Sequence, residues 1–411
     1  MIKLDLITIG DELLLGLRTN RHLNWIGEHL ARRGVMLRRN VVISDEVTEI
    51  EQVFQASWAS ADVVLTTGGL GPTSDDRTRE VIAAALGRTL VHDPEVEAAI
   101  AARFAQMGRR MVPSNRKQAF KPEGATVLPN PNGTAPGLWI EAGEKILIML
   151  PGPSQECYPL MEMEVLPRLA ARGWLTEMDH FVELRTAGVG ESILEHTLEP
   201  FRQEHPDVAF AYCAFDGVVD VRISSPDQSM SREDLCRVGA ACRHFLGDDF
   251  VGYGQPLLSQ VIHEALRDKG QTVAVAESCT GGLLANAFTD IPGSSKTFVG
   301  GVVCYNNDAK VQMLGVPECL LAQHGAVSAE SAVAMAAGAA ERFATEYALS
   351  VTGFAGPGGG TSEYPVGTVF IGLHSPEGIW SKKCLLSGSR ITVKRRAVNM
   401  ALDWLRREAA L

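Results

Sequence analysis

A serine, a cysteine and a threonine stand side by side at Ser278, Cys279 and Thr280, and the pair Gly281-Gly282 follows them. A hydroxyl or thiol becomes a nucleophile when a base takes its proton and donors wait for the oxyanion it creates. The residues before them, Thr272–Ala276, are small or β-branched and read as a buried strand, and Leu283–Phe288 read as a helix. A strand-to-helix turn lifts a side chain above the sheet edge and offers the unpaired N–H groups of the helix start. The same pattern also suits a turn in which Ser278 or Thr280 is only an N-cap. If the turn is catalytic, Ser278 is the first candidate nucleophile. Cys279 competes with it, because a thiol attacks more readily than a hydroxyl. Lys310 on a predicted short helix is a candidate base, provided burial or a neighbouring cation lowers its pKa. Tyr305, five residues earlier at a strand end, would relay the proton or hold the substrate, and Thr352 at another strand end would donate to the same network. Glu277 fixes the turn or contacts the ligand, with Thr280, Gly281 and Gly282 lining it. The loop carrying Gly353, Ala355, Gly356, Gly358 and Gly359 would wrap a phosphate with backbone N–H groups. No histidine lies in these segments, so a Ser-His-Asp triad is not indicated.

A second set of candidates lies near the N-terminus. Gly68-Gly69-Leu70-Gly71-Pro72-Thr73-Ser74-Asp75-Asp76 follows a predicted strand and leads into a helix. Glycines let the backbone approach a phosphate, and a helix N-terminus favours its charge. Asp75 and Asp76 cannot bind phosphate, but they suit a divalent ion that bridges to it. Capping of the helix by the two acids is the plainer alternative. Gly10-Asp11-Glu12 and Asn132-Gly133-Thr134 are expected to complete this site on the same sheet edge. No Gly-Lys-Ser/Thr follows the glycines, which excludes a Walker-type loop.

The elements that must carry these residues divide the chain into three parts: residues 1–168, 169–252 and 253–411. In the first, strands are expected at Leu4–Ile9, Val41–Ile43, Asp62–Thr67 and Lys145–Leu150, with helices capped by Asn20 and Thr48 between them. This alternation predicts a parallel three-layer α/β domain, in which ligands bind at the carboxyl ends of strands. The middle part has strand patterns at Phe181–Thr186 and Val218–Ser224 and helical ones at Ile193–Glu204 and Arg232–Leu246, a small α+β unit. Gly252–Pro256 reads as a hinge. The last part repeats the α/β alternation, with strands at Thr272–Ala276, Thr297–Tyr305, Ala348–Thr352 and Val366–Leu373 and an alanine-rich helix at Ala329–Ala344. The fold class is therefore α/β, two three-layer α/β domains joined by a small α+β domain.

The 411 residues are too many for one ordinary core. A net charge of −11 argues against a general nucleic-acid-binding surface. The eight cysteines show no paired metal or redox spacing. With no secretory signal at Met1–Asp5 and no bilayer-length apolar run, reduced thiols in a cytoplasmic protein are expected.

Two resemblances add to these readings. Gly10–Gly16, Thr67–Thr78 and Asn130–Gly137 closely resemble the N-terminal domain of the CinA (competence/damage-inducible) family, a domain similar to molybdopterin-binding proteins. The resemblance implies metal-dependent hydrolysis of ADP-ribose to AMP and ribose 5-phosphate, with Mg, Mn or Co and possibly K as cofactor. It places Asp75 and Asp76 at the metal and Gly69, Gly71 and Thr134 along the ligand. Two segments beside this site, Leu17–Thr19 and Leu150–Cys157, depart from the usual family pattern. Ala276–Gly282, Gly293–Ser295, Tyr305–Lys310, Gly325–Ser328 and Thr352–Gly359 look like the PncC-type domain, which implies deamidation of nicotinamide mononucleotide without a metal and favours Ser278 over Cys279. The middle part then corresponds to the KH-like connecting domain of long members. Alternatives are an N-terminal domain that only binds molybdopterin or a nucleotide, or a partner in competence and DNA recombination. A homodimer is expected, without direct nucleic-acid or membrane contact.

Overall fold

The computed structural model describes residues 2–175, 181–226 and 229–409. The chain forms two compact units, Met1–His180 and Phe181–Leu411. In the first unit the helix Leu166–Ala171 carries the fold past residue 168, and Leu169 and Leu175 belong to its core.

The first unit is built on a six-stranded sheet in the order Leu37–Ile43, Leu4–Ile9, Val63–Thr67, Lys145–Leu150, Gly137–Ala142 and Thr126–Leu128. The first four strands are parallel, as their alternation with helices requires. The sheet is mixed rather than wholly parallel. Gly137–Ala142 runs antiparallel to Lys145–Leu150 because Ala142 pairs with Lys145 across a two-residue turn, too short for a crossover. Every residue of Leu4–Ile9 and Val63–Thr67 is buried, so these central strands read as continuous apolar runs. One face packs Ile26, Leu30, Leu160 and Leu166, and the other packs Ile50, Phe54 and Ile82. Three layers result. Asn20 does accept a hydrogen bond from the His22 N–H at 3.0 Å, at the start of the helix His22–Ala31. Thr48 is not a cap: the next helix already includes Val47, with Glu46 at the N-cap.

The second unit contains two sheets. Ala209–Phe215, Val218–Ser224, Phe181–Ala187 and Phe250–Tyr253 form an antiparallel sheet packed on the helices Glu191–Glu204 and Arg232–Leu246. The expected hinge is not one. Gly252 and Tyr253 pair with Arg185 and Leu184, and the Arg185 guanidinium donates to the carbonyls of Gln255 and Pro256 at 3.2 Å. The small domain is also tied to the rest of the unit by Arg406, which donates to the carbonyls of Asp248 and Phe250.

The larger sheet orders Phe298–Val303, Val273–Glu277, Tyr347–Gly353, Thr368–Ser375 and Gly378–Leu385. The first three are parallel and the last two antiparallel. Helices Leu258–Lys269, Leu283–Thr289 and Arg390–Ala409 cover one face, and Asn307–Leu314 and Ala329–Phe343 the other. The small side chains Ala332, Ala336 and Ala339 let the last of these lie directly on the sheet, where the Ser350 hydroxyl reaches the Ala332 carbonyl at 2.6 Å. None of the described helices is long and apolar enough to cross a membrane.

Candidate functional site

In the second unit, Val273–Glu277 ends at the carboxyl edge of its sheet, and Ser278 continues the pairing by donating its N–H to the Val351 carbonyl at 2.9 Å. The chain then turns sharply through Gly281 (φ +63°) and Gly282 (φ +97°), a left-handed pair that residues with a Cβ rarely adopt. The carboxylate of Glu277 is fully buried under this turn. It accepts from the N–H groups of Gly282 and Leu284 at 3.0 Å and of Ala285 at 2.7 Å. Glu277 therefore caps the helix and fixes the turn, with no access to ribose. The N–H groups of Cys279 and Thr280 have no acceptor on another described residue.

The helix Asn307–Leu314 starts just past the neighbouring strand, capped by the Asn306 side chain on the Ala309 N–H. Its first turn brings Lys310 back under the sheet edge, 1% exposed. The ammonium nitrogen lies 3.3 Å from Ser278 Oγ and 2.8 Å from the Cys304 carbonyl. Lys310 makes no ion pair among the described residues, and burial lowers its pKa below the ordinary lysine value. A lysine in that state can accept a proton from the hydroxyl it touches. Burial has the opposite consequence for Cys279, whose thiol is pushed up to about 11 and whose side chain joins the apolar core. Of the two adjacent candidates, only Ser278 faces a base.

Tyr305 stands at the rim, 62% exposed, with its hydroxyl accepting from the Arg390 guanidinium at 2.7 Å. A second Arg390 nitrogen donates to the Gly356 carbonyl at 2.7 Å, which ties the glycine-rich loop to the same edge. Lys394, one turn further along the helix Arg390–Ala409, extends to the turn: a Cβ on Gly281 would lie 3.7 Å from its ammonium. The sequence reading missed Arg390 and Lys394. Its available signal was electrostatic, since cations are unfavourable in the first turns of a helix unless something else needs them there. Thr352 requires correction. Its hydroxyl donates to the Ala326 carbonyl at 2.7 Å rather than to the Ser278–Lys310 pair. Ala355 is likewise in the core, so only its backbone can face a ligand. Gly358 and Gly359 lie on the same loop as Gly356, beyond Gly353 at the strand end. Thr280 is fully buried, and its hydroxyl has no hydrogen-bond partner among the described residues.

In the first unit a cavity of about 420 Å³ opens at the carboxyl ends of the strands. Gly10, Glu12, Gly68, Gly69, Gly71, Asp75, Asp76 and Thr134 line it, together with Arg18, Arg21, Asp45 and Glu156. A Cβ on Gly68 would come 2.1 Å from the Ile9 carbonyl, and one on Gly69 1.9 Å from Thr78 Oγ1. Both positions require glycine. Four expected residues, Asp11, Thr73, Asn132 and Gly133, stand outside the lining. Asp11 and Asp45 each donate the backbone N–H to the other's carboxylate, Thr73 donates its N–H to the Asp76 carboxylate at 2.9 Å, Asn132 donates to the Gln155 carbonyl, and the Gly133 N–H donates to Asn130 Oδ1. Asp76 is thus occupied within its own loop. Among the described residues no three His, Cys, Asp or Glu side chains converge as a ready ligand set. The negative charge nevertheless gathers at one place: burial, together with Asp11, Glu12 and Asp75, raises the pKa of Asp45. Asp75 is partnered as well: a hydrogen bond from the Thr73 side chain and the nearby Lys117 ammonium lower its pKa, so neither of the two expected acids stands free. Glu156, unassigned from the sequence, is raised by burial and accepts from Asn130 Nδ2 at 2.7 Å.

Residues 256–409 match the family described as the CinA C-terminal domain, and residues 5–171 match a probable molybdopterin binding domain. A competence-damage inducible protein of Symbiobacterium thermophilum is 41% identical over 98% of both chains. A CinA-like protein of Kosmotoga olearia is 38% identical, over 99% of this chain and 98% of its own. The solved CinA structure from Thermoplasma acidophilum is 34% identical and covers 40% of this chain and 96% of its own, with a TM-score of 0.38. By near full-length identity to these relatives, the chain belongs to the CinA family of competence-damage inducible proteins.

Proposed function

We propose that the C-terminal domain hydrolyses the carboxamide of nicotinamide mononucleotide to give nicotinate mononucleotide and ammonia. The observation that carries this reading is the 3.3 Å contact between Ser278 Oγ and a buried Lys310 with no ionic partner among the described residues. Neutral Lys310 takes the Ser278 proton as Oγ attacks the carboxamide carbon. The N–H groups of Cys279 and Thr280 are the free donors beside the resulting oxyanion. Collapse breaks the C–N bond, and Lys310 returns its proton to the leaving nitrogen, which departs as ammonia. Water, deprotonated by the same amine, then cleaves the Ser278 ester and restores the hydroxyl. Arg390 and Lys394 at the rim suit the 5′-phosphate, with Tyr305 steering the guanidinium. No metal takes part in this scheme. Ser278→Ala should abolish ammonia release from nicotinamide mononucleotide; full activity in that variant refutes the scheme.

For the first unit the reading is hydrolysis of ADP-ribose to AMP and ribose 5-phosphate. The carrying observation is a glycine-rich loop facing a cavity lined by Glu12, Asp45, Asp75, Asp76 and Glu156 together with Arg18 and Arg21. A divalent ion held by Asp75, Asp45 and Glu12 would neutralise the diphosphate. The Gly68–Gly71 backbone would hold the phosphates, and Arg18 and Arg21 would bind them from the opposite lip. Glu156, which accepts a hydrogen bond from Asn130, would take a proton from the attacking water. The test is AMP formation with and without chelator. A chain that instead carries a pterin, with no turnover, would favour simple molybdopterin binding.

A further inference from the structure

At 3.3 Å the contact between Ser278 Oγ and the Lys310 ammonium is slacker than the roughly 2.6–3.2 Å over which a base takes a proton. The place of Lys310 is set by its 2.8 Å hydrogen bond to the Cys304 carbonyl. Cys304 is anchored on one side by the sheet, its N–H donating to the Glu277 carbonyl at 2.8 Å. On the other side comes Tyr305, whose exposed ring is tied down through its hydroxyl by Arg390.

Arg390 opens the helix Arg390–Ala409 and reaches two loops at once. One terminal nitrogen donates to the Tyr305 hydroxyl and the other to the Gly356 carbonyl, both at 2.7 Å. Both acceptors are uncharged and no acid stands in the first turn of the helix. Two cations at a helix N-terminus without acids are unfavourable until an anion joins them. The guanidinium keeps donors to spare for one, and the Lys394 ammonium lies a turn further on, beside Gly281. Beyond Gly356 the chain is loose. Residues 357–363 are exposed, a Cβ on Gly358 would touch nothing, and no hydrogen bond among the described residues reaches 357–360. The loop is secured again only where the Thr361 N–H donates to the Tyr364 carbonyl at 2.8 Å and the Lys383 ammonium lies 4.4 Å over the Tyr364 ring. One side chain thus joins a loose loop to the segment that places the base.

We infer that Arg390 is a positioning residue through which the 5′-phosphate of the substrate acts on the chemical step. A dianion on the spare donors of Arg390 and on Lys394 fixes the guanidinium, and with it the Tyr305 hydroxyl and the Gly356 carbonyl. The loop after Gly356 closes on the nucleotide. Tyr305, drawn in by the same group, carries the Cys304 carbonyl and Lys310 toward Ser278. Binding energy from a group remote from the reacting bond then appears in kcat as well as in KM. Selectivity for the nucleotide over its riboside is therefore expressed in the rate of attack by Ser278. The inference rests on the deamidase reading of this site and adds to it the coupling between phosphate and base.

The probe is phosphite dianion, added to the full chain together with nicotinamide riboside, so that the substrate is supplied in two pieces. Ammonia release from the riboside should rise roughly tenfold or more at saturating phosphite in the wild type. In Arg390→Gln phosphite should give no such rise, and kcat for the intact nucleotide should fall while its KM increases. Arg395→Gln removes the same charge from the same helix at a side chain that is 58% exposed and faces Asp216, and should keep the wild-type response to phosphite. Hydrogen–deuterium exchange follows the loop without turnover: phosphite should slow exchange over residues 356–364 in the wild type and leave it unchanged in Arg390→Gln. Activation by phosphite that persists in Arg390→Gln overturns the inference. So does a wild type that deamidates the nucleotide but turns over the riboside no faster with phosphite than without, a result that leaves the deamidase standing. The converse result separates the two readings. A wild type that releases no ammonia from the nucleotide, yet shows phosphite-dependent slowing that Arg390→Gln loses, removes the deamidase and keeps the phosphate-set loop.

Discussion

Replacing Glu277 with glutamine exchanges one oxygen for an amide nitrogen and removes one charge, yet the structure gives it a large cost. The wild-type carboxylate accepts three backbone N–H groups, two on Oε2 and one on Oε1, in a fully buried position. Glutamine keeps one oxygen. In its better orientation that oxygen retains Gly282 and Leu284, and the amide NH₂ is left facing the Ala285 N–H. One buried donor is orphaned, at about 1–3 kcal/mol. The two surviving bonds also lose their charge, which halves their strength and costs roughly 1 kcal/mol each. Together Glu277→Gln should destabilise the second unit by ~3–5 kcal/mol. It should also slow ammonia release, because Ser278 is the next residue on the loosened turn. Urea denaturation followed by the fluorescence of Trp380 and Trp404, with Glu277→Asp as a charge-preserving comparison, measures the first effect. A Gln variant within about 0.5 kcal/mol of wild type would refute the cap as the element that holds the nucleophile.

Further outcomes follow from the same geometry. Because burial lowers the Lys310 pKa, ammonia release should rise with pH through that lowered value and level off above it, where the amine is neutral. Lys310→Met should lose roughly 10²–10⁴-fold of the rate, and Lys310→Arg should not restore it, since arginine stays protonated. Arg390→Gln should raise KM for nicotinamide mononucleotide by roughly tenfold or more, the worth of a charged hydrogen bond, and leave the riboside lacking the phosphate unaffected; equal effects on both would remove the phosphate role. Asp75→Asn should abolish chelator-sensitive AMP formation, whereas Asp76→Asn should mainly lower the melting temperature by freeing the Thr73 loop. Gly69→Ala should cost about 1–3 kcal/mol of stability from its left-handed backbone and abolish nucleotide binding, by collision with Thr78.

Much of this arrangement was legible because local chemistry and chain direction agree. The strand, the Gly281-Gly282 turn and the Leu283–Phe288 helix all read directly, and they place Ser278 where it is found. The choice between Ser278 and Cys279 was not legible, because it depends on which side chain points at Lys310 and which into the core. Thr352 was misplaced for a related reason. Strand side chains alternate, so Thr352 shares the face of Ser350, and both hydroxyls reach backbone carbonyls of the Ala326–Ala332 segment. Arg390 escaped notice because it meets Tyr305 across 85 residues of chain. The antiparallel strands Ala209–Phe215 and Gly378–Leu385 were missed because both are largely exposed and lack a buried apolar run. In the first unit the glycines were readable from spacing alone. The place of Asp45 was not, since three other acids gather around it only in the fold.

The central claim is that a buried lysine activates Ser278 for attack on an amide. It is tested most directly by ammonia release from nicotinamide mononucleotide in the wild type, Ser278→Ala and Cys279→Ala, each with and without chelator. The account predicts chelator-resistant release by the wild type and by Cys279→Ala, and none by Ser278→Ala. Release that persists in Ser278→Ala and disappears in Cys279→Ala would contradict it.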